Sequence, residues 1–373
     1  MIQIEFLPAS NGDSIFLSIK NEKLILIDGG FAQTYSKHIK KKLALLNHQK
    51  KFLDLIVITH IDNDHINGIL KLFGDEYINL VKKVWFNSGE ILSKYFSIEN
   101  ENQKIDIIAT QKDSEIIGVK NGIKLENILN KLNISNIKPI QTEQTLVLDR
   151  NISFILLSPD ENKLSILNKE WNKVLEEELK KDASISIGAN LNDYNKTIEE
   201  LINIPSDPDN SIANGSSIAF IFKYSSLSFL FLADAHIDII VKSLKDLEYS
   251  SMNPLKVEFV KLSHHGSKKN LNEEFLSLID TDTYIISTKG SPVHNHPNKE
   301  TLAKIISIHQ NKAQACRFIF NYPNEGQLKN IFKELNFERI DDDFFNIKYN
   351  ENYNFYLQFP KTSNSGAILN YER

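Results

Sequence analysis

Short apolar segments that end in histidine or aspartate recur along this sequence, and this pattern favours a layered α/β fold. The clearest case is LDLIVI (53–58), a β-branched apolar run that predicts a buried strand. The loop that follows it, THIDNDH, contains His60, Asp62, Asp64 and His65. Because the sites of α/β sheets lie beyond the carboxyl ends of their strands, we expect a reactive centre at this loop.

The donor atoms of this loop are imidazoles and carboxylates, which suit a divalent transition metal. A short loop can turn four such side chains inward only when a cation offsets their crowding, and two ions are accommodated more easily than one. The alternative is that Asp62 or Asp64 only caps a helix that begins near Ile66. A cap requires one such residue, so the set of four favours a metal site.

The rest of the chain repeats this pattern. Residues 2–27 predict three strands, the third of which leads into Asp28-Gly29-Gly30. His296 precedes a predicted helix at 299–310. Three later strands also end in polar residues: 227–234 at Asp234, 257–267 at His264 and His265, and 283–290 in a loop with Lys289. Two α/β halves with such residues at one edge predict a sandwich whose site lies between the halves.

Composition excludes several classes of protein. The 373 residues contain a single cysteine, Cys316, which excludes an intramolecular disulfide framework and fits a reducing cytosol. A net charge of −5 argues against nonspecific coating of nucleic acid. No apolar run approaches the length of a membrane span, and the N-terminus alternates like a strand rather than a secretory signal. We therefore expect a cytoplasmic protein without a membrane partner.

Two regions differ from the strand-rich remainder. Residues 88–210 predict a helical insertion, in which 145–159 returns to strand character. Its acidic part, 159–210, is either a solvated helix pair over the sheet or a surface for a lid or a protein partner. The tail predicts a helix near 325–335 and then an aromatic hairpin with its turn at 350–352. We expect this tail to extend the edge of the second sheet.

Taken together, the motifs resemble the metallo-β-lactamase superfamily, and in particular the branch that contains the hydrolase domain of the competence protein ComEC. Asp28, the THIDNDH loop, Asp234 and the late histidines match the general pattern of the superfamily. Six elements of the branch occur in order: Gly12-Asp13-Ser14, LIDGG ending at Gly30, the loop from Thr59 to Gly68, Asn214 to Ser217, HHGS at 264–267, and His296-Pro297.

The resemblance implies an α/β fold, an αββα metallo-β-lactamase-like sandwich with a helical insertion and a C-terminal β extension. It assigns residues 1–320 to a hydrolase domain that carries the insertion at about 88–210, and residues 321–373 to an extension packed on the same domain. It also implies two divalent ions, manganese or zinc, with Asp234 as the bridging carboxylate. The implied metal ligands are His60, Asp62, Asp64, His65, Asp234 and His265.

The resemblance also implies catalytic roles. Asp64 is expected to orient the attacking water as well as to bind metal, and His296 to contact the substrate or protonate the leaving group. Of the two adjacent histidines, His265 is expected to be the ligand and His264 a catalytic orienter, although a purely structural role for His264 stays open. Asp28 is expected to hold a ligand loop from behind, which is compatible with a turn-capping role.

Two departures from the general pattern affect the metal. Asp62 stands where a second histidine is usual, and the mid-chain histidine is replaced by the region of Asn214 and Ser216. Both changes exchange nitrogen for oxygen donors and favour manganese, although zinc is also compatible. If neither Asn214 nor a serine binds metal, the first ion is short of protein ligands. Substrate contacts are expected from Asn214, Ser216, Ser267, Lys268 and Lys289, although lone lysines at loop ends are more often plain surface.

The leading hypothesis is a metal-dependent phosphodiesterase or nuclease that acts on nucleic acid or a nucleotide, because two-metal sites suit in-line displacement at phosphorus. A lactone or thioester hydrolase is the second hypothesis. The third is an effector subunit whose insertion at 88–210 docks a partner that gates the site.

Overall fold

Two β-sheets packed face to face form the centre of the protein in a computed structural model. The structure describes residues 1–19, 23–99, 113–177, 192–205, 207–290 and 295–372. The first sheet has six strands in the order β18-β1-β2-β3-β4-β5. Its strands are β1 Ile2–Phe6, β2 Ile15–Ile19, β3 Leu24–Ile27, β4 Leu55–Val57, β5 Val84–Trp85 and β18 Ala367–Tyr371.

The second sheet has ten strands in the order β15-β16-β17-β14-β13-β11-β9-β8-β7-β6. Its strands are β6 Thr145–Asp149, β7 Ile152–Ser158, β8 Ala219–Tyr224, β9 Leu227–Phe231, β11 Val260–Lys261, β13 Thr283–Ile286, β14 Cys316–Phe320, β15 Glu338–Ile340, β16 Phe345–Asn350 and β17 Phe355–Pro360. The strands β9, β11, β13, β14 and β17 run parallel, so their carboxyl ends meet at one edge. A short parallel pair, β10 Leu255–Lys256 and β12 Ile279–Asp280, lies apart from both sheets.

Helices cover the outer face of each sheet. Those over the first sheet are α1 Ala32–Thr34, α2 Lys40–His48, α3 Asn63–Phe73, α4 Gly89–Glu99, α5 Asp113–Leu132, α6 Glu161–Glu177 and α8 Ile212–Gly215. Those over the second are α7 Ile198–Leu201, α9 Ile237–Asp246, α10 Glu273–Ser277 and α11 Lys299–Asn311. A π-helical turn, Tyr35–Ile39, joins α1 to α2.

Three apolar cores separate these layers, one between the sheets and one under each set of helices. Strand β4 shows how the sequence produces them, because all three of its residues are fully buried. Leu55 and Val57 face the second sheet, while Ile56 faces the helices. A strand that is buried on both faces requires an uninterrupted run of apolar residues. The predicted αββα sandwich is confirmed.

The predicted insertion packs over the loop that follows β4. Helices α4, α5 and α6 share the first helical core, and Trp171 of α6 is fully buried there. The amide of Asn121 on α5 donates to the side chain of Asn63 (2.7 Å) and to that of Asn67 (3.1 Å) on α3. Residues 100–112, between α4 and α5, and residues 178–191, after α6, belong to the predicted insertion and lie outside the described residues. The described helices therefore brace the ligand loop from the outside.

The tail differs from its prediction at two points. The hairpin is present as β16 and β17, but the predicted helix near 325–335 is only a 3₁₀ turn, Leu328–Asn330. Packing of Leu328, Ile331 and Phe332 into the core holds that segment in successive turns, which overrides its helical spacing. The last strand, β18, does not extend the second sheet as predicted. It joins the first sheet, where it pairs antiparallel with β1. It covers the backbone edge that β1 would otherwise leave open.

Candidate metal centre

The carboxylate of Asp234, just beyond β9, faces four histidines that come from two other strand ends. Its Oδ2 atom lies 3.6 Å from Nε2 of both His65 and His265. It lies 3.9 Å from Nε2 of both His60 and His264. The loop after β4 and the loop after β11 therefore converge on one carboxylate oxygen across the gap between the two sheets.

Two further carboxylates flank this group. Oδ2 of Asp62 lies 3.8 Å from Nε2 of His60, and Oδ2 of Asp64 lies 3.6 Å from Nε2 of His265. These separations are longer than hydrogen bonds. They are close to the roughly 3.3–3.5 Å between two ligands of one tetrahedral zinc-type ion, given bonds of about 2.0–2.2 Å. The spacing therefore fits donors that share a cation.

Buried polar atoms at the centre have no hydrogen-bond partner, and they support the same conclusion. Nε2 of His60, His65 and His265 and Oδ1 of Asp234 are in this state. Leaving such an atom unsatisfied costs about 1–3 kcal/mol, so four together are unusual in a native interior. A divalent cation would satisfy the imidazole nitrogens and the carboxylate at once. The residues present fit a metal centre.

The opposite side of each buried imidazole ring is held by a fixed partner. Nδ1 of His65 lies 2.8 Å from Oδ2 of Asp28, and Nδ1 of His265 lies 2.8 Å from the carbonyl oxygen of Ser287. The hydroxyl of Thr59 donates to Asp28 (2.6 Å) and lies 3.0 Å from Nδ1 of His60. Such partners place the proton on Nδ1 and leave the Nε2 lone pair for metal. Asp28 thus stands behind the ligand loop and contacts both His65 and Thr59.

Crowding shifts the pKa values of the metal-free centre. Burial, together with a neighbouring carboxylate, raises the pKa of Asp62 to about 7. Burial lowers the pKa of His60 to about 3. Burial alone would also lower the pKa of His65, but the negative charges of Asp234 and Asp28 outweigh it and hold that pKa well above its ordinary value. A proton on His65 therefore offsets part of the negative charge of these carboxylates when no metal is bound.

Metal binding should consequently release protons. Because the pKa of His65 lies well above its ordinary value, the ring is charged at neutral pH and must lose its proton to bind a metal. The affinity for Mn²⁺ should rise with pH between pH 6 and 8, by about tenfold per unit for each proton displaced. Calorimetry in buffers of different ionisation enthalpy measures this release. An affinity independent of pH, with no proton released, would contradict it.

The ligand loop requires close backbone approach at Gly12, the first residue of the Gly-Asp-Ser motif. A Cβ atom at this position would overlap the carbonyl oxygen of Asp64. The same close approach recurs where Gly68 faces the backbone of Gly29. The glycines of both motifs therefore let the loop after β4 settle against its neighbours.

Replacing Gly12 with alanine should displace this loop. We expect the Gly12→Ala variant to lose about 1–3 kcal/mol of unfolding free energy, because backbone must move to admit the methyl group. It should also bind metal more weakly. Gly74 is the matched control, since a Cβ there has no neighbour closer than 3.7 Å. Urea denaturation and metal titration measure both effects, and equal behaviour of the two variants would refute this role for Gly12.

Other residues predicted at the site lie in different settings. The ring of His296 is centred 4.8 Å from that of His264 and 6.4 Å from that of His265, so His296 borders the centre. Asn214 and Ser216 are both buried. The hydroxyl of Ser216 donates to the carbonyl of Ala213 (2.7 Å), which ties it to its own turn.

The predicted phosphate-binding residues are also engaged within the protein or exposed. The hydroxyl of Ser267 is buried and accepts from the backbone amide of Lys269 at 3.3 Å. The ammonium group of Lys268 lies 3.3 Å from the carboxylate of Glu300. Lys289 is exposed at the end of its loop. A substrate role for these residues stays a prediction.

Three residues near the centre were not singled out by sequence reasoning: Asp209, Asn270 and Lys261. A fourth, Asp13, was noted only as part of its motif. Lys261 and Asp13 form a fully buried ion pair, and the free oxygen of Asp13 lies 3.7 Å from Nδ1 of His265. The available signal was a lone lysine inside the apolar strand VEFVKL, since buried lysines are almost always paired.

The geometry agrees with the comparison to known families. The sequence model of the metallo-β-lactamase superfamily matches residues 7–78, which include Asp28 and the ligand loop. The predicted resemblance to the metallo-β-lactamase superfamily is confirmed. The match spans the segment that holds strands β2 to β4 and the ligand loop.

Curated relatives extend the similarity beyond that segment. ComE operon protein 3 of Bacillus subtilis (strain 168) is 20% identical over 319 residues, which are 80% of this chain and 30% of that protein. Exodeoxyribonuclease WalJ of Streptococcus pneumoniae is 35% identical over 99 residues, 26% of this chain and 34% of that protein. The chain thus spans about a third of the length of each relative.

A solved structure with the metallo-β-lactamase fold aligns along the whole chain. It is the protein YhfI from Bacillus subtilis, which covers 99% of this chain and 100% of its own at a TM-score of 0.42 and 10% identity. Within the described ranges, no helix combines the length and apolarity that a membrane crossing requires.

Proposed function

We propose that the protein is a metal-dependent phosphodiesterase with nuclease activity, and that its centre holds two divalent ions. The observation that carries this proposal is the convergence of four imidazoles on the carboxylate of Asp234, with Asp62 and Asp64 on either side. When bound, two ions of this kind activate a water for in-line attack on a phosphoryl group. They also stabilise the negative charge that develops on that group. The exodeoxyribonuclease named above, to which a quarter of the chain is similar, supports the same chemistry.

The residues divide the centre into a floor and a mouth. The side chains of His60, His65 and Asp234 are at most 3% exposed and form the floor. Asp62 is 31% exposed, and Asp64 and His264 are each 26% exposed, so these three line the mouth. A substrate would therefore approach from their side, where the carboxylate of Asp64 would orient an attacking water and accept its proton.

His296 is the candidate residue for protonating the leaving group. Its ring stands beside His264 at the mouth, where a protonated imidazole would donate its proton to the departing oxygen and become neutral. The net charge of −5 disfavours long duplex DNA, so we expect single strands, short oligonucleotides or nucleotides as substrates. Three carboxylate donors make manganese the preferred ion, with zinc as the alternative. The single cysteine is consistent with a cytoplasmic location.

The test compares wild type with Asp64→Ala and His65→Ala variants on single-stranded and duplex DNA, on RNA and on bis-p-nitrophenyl phosphate. Each substrate is assayed with Mn²⁺ and with Zn²⁺, and metal content is measured in parallel. We expect wild type to cleave at least one phosphodiester and both variants to lose that activity. Turnover of lactones or thioesters alone would replace this proposal with the acyl-hydrolase alternative. A metal-loaded wild type as inert as its variants on every phosphodiester would overturn it.

A further inference from the structure

His264 has the same relation to Asp234 as the histidines that the sequence assigns to the metal. Its Nε2 atom lies 3.9 Å from Oδ2 of Asp234, which is the distance found for His60. Its ring is the partly exposed member of the four, and it stands on the mouth side of the centre. The distance to Asp234 therefore does not separate His264 from His60. Among the described residues, the sets of donor atoms that all lie within 4.8 Å of one another include His60, His65, His265 and Asp234 but not His264, so a ligand role requires its partly exposed side chain to turn toward His60.

The environment of the other ring nitrogen supports a ligand role. Nδ1 of His264 lies 3.3 Å from Oδ2 of Asp209 and 3.2 Å from the side-chain oxygen of Asn270. Two acceptors at Nδ1 favour a proton there and leave the lone pair of Nε2 directed at the centre. His65 has the same arrangement with Asp28 behind it.

Asp209 is itself held in place. Its Oδ2 atom accepts hydrogen bonds from the side-chain amides of Asn214 (2.7 Å) and Asn270 (3.1 Å). Its Oδ1 atom accepts from the backbone amide of Ser211 (3.1 Å), and only 8% of the side chain is exposed. These three hydrogen bonds fix the carboxylate of Asp209 next to the imidazole of His264. The side-chain amide of Asn214 also lies 3.4 Å from Nδ1 of His264, so Asn214 contacts the back of this ring. Its Oδ1 atom is buried without a hydrogen-bond partner, which makes Asn214 the competing ligand.

The backbone at this point is unusual. His264 and His265 both have left-handed conformations, with φ of 46° and 56°. Such conformations cost about 1–3 kcal/mol each for residues other than glycine, and they persist where the surrounding structure requires them. In an extended strand, adjacent side chains would point to opposite faces. Here the double left-handed turn brings both imidazoles to Asp234.

We propose that His264 is a metal ligand and that Asp209 is its positioning residue, so that each of two ions is held by two imidazoles and two carboxylates. One ion would take His60, Asp62 and His264, and the other His65, Asp64 and His265, with Asp234 shared. This inference rests on the two-ion centre proposed above. It supplies the ligand that the first ion lacks if Asn214 does not bind metal.

The experiment measures bound metal rather than activity. Purified protein is stripped with chelator, titrated with Mn²⁺ by calorimetry, and analysed for metal by mass spectrometry. The main variant is His264→Gly, because glycine accepts the left-handed backbone without strain. It should bind one ion fewer than wild type. Asp209→Asn should keep the ion count but weaken the affinity for the first ion by roughly 10–100-fold.

Two controls make the result specific. His48→Ala removes an exposed histidine of α2 and should leave binding unchanged. Asn214→Ala tests the competing ligand: loss of an ion in this variant, with none lost in His264→Gly, would overturn the inference. Unchanged count and affinity in both His264→Gly and Asp209→Asn would also overturn it. The comparison with wild type decides the role of His264 even if wild type proves inactive, whereas turnover decides the proposed function.

Discussion

An Asp234→Asn variant should lose most of its bound metal and its turnover. Oδ2 of Asp234 is the atom on which all four imidazoles converge, and the neutral amide removes the negative charge that the two ions would share. Loss of several kcal/mol of charge stabilisation corresponds to a decrease in turnover of roughly 10³-fold or more. Metal analysis after dialysis and cleavage of bis-p-nitrophenyl phosphate measure the two effects.

The control is Asp238→Asn, which removes an exposed carboxylate from the first turn of α9, four residues further along the chain. It should retain the metal content and turnover of wild type. If Asp234→Asn also retained both, Asp234 would not be the shared ligand, and the two-ion centre would have to be abandoned.

A Lys261→Met variant should be among the least stable single substitutions in this protein. The side chain of Lys261 is 1% exposed and pairs with that of Asp13, which is 2% exposed and lies beside His265 of the candidate metal centre. Removing one partner leaves the other charge buried and unpaired, which costs about 3–5 kcal/mol. Urea denaturation of metal-free protein, with chelator present throughout, measures this loss separately from any change in metal affinity.

Two further variants test whether the buried ion pair accounts for this loss of stability. Lys82→Met removes a lysine that is 51% exposed and pairs with Asp54 at 2.9 Å, and it should change stability by less than about 1 kcal/mol. The double variant Asp13→Asn with Lys261→Met should recover part of the loss, because it leaves no unpaired charge. A Lys261→Met protein as stable as the Lys82→Met protein would show that the buried pair is not required for stability.

Local sequence was sufficient for the parts of the site that lie next to a strand. The apolar run before His60 predicts β4, and β4 directs the four residues of its loop to the carboxyl edge of the sheet. Asp28 and Asp234 follow the same logic, since each comes just after a strand. The order of strands and helices, and the two-layered sheet they form, were also predictable from apolar periodicity and turn residues.

Contacts between distant segments could not be obtained in this way. Asp209 meets Asn270 across 61 positions of the chain, and Lys261 meets Asp13 across 248. The predicted helix near 325–335 failed for the same reason, because packing rather than local spacing set its conformation. Strand β18 likewise joins β1 from the opposite end of the chain.

The pair His264 and His265 separates what the local sequence predicts from what only the tertiary structure determines. The sequence predicts a metal site here, with His265 as the ligand and the role of His264 left open. That both rings face Asp234 depends on two left-handed backbone angles and, for His264, on Asp209, and neither follows from the local pattern. Apolar periodicity directs each strand into a layer, whereas the direction of a side chain at the strand end depends on the partners that the finished fold brings to it.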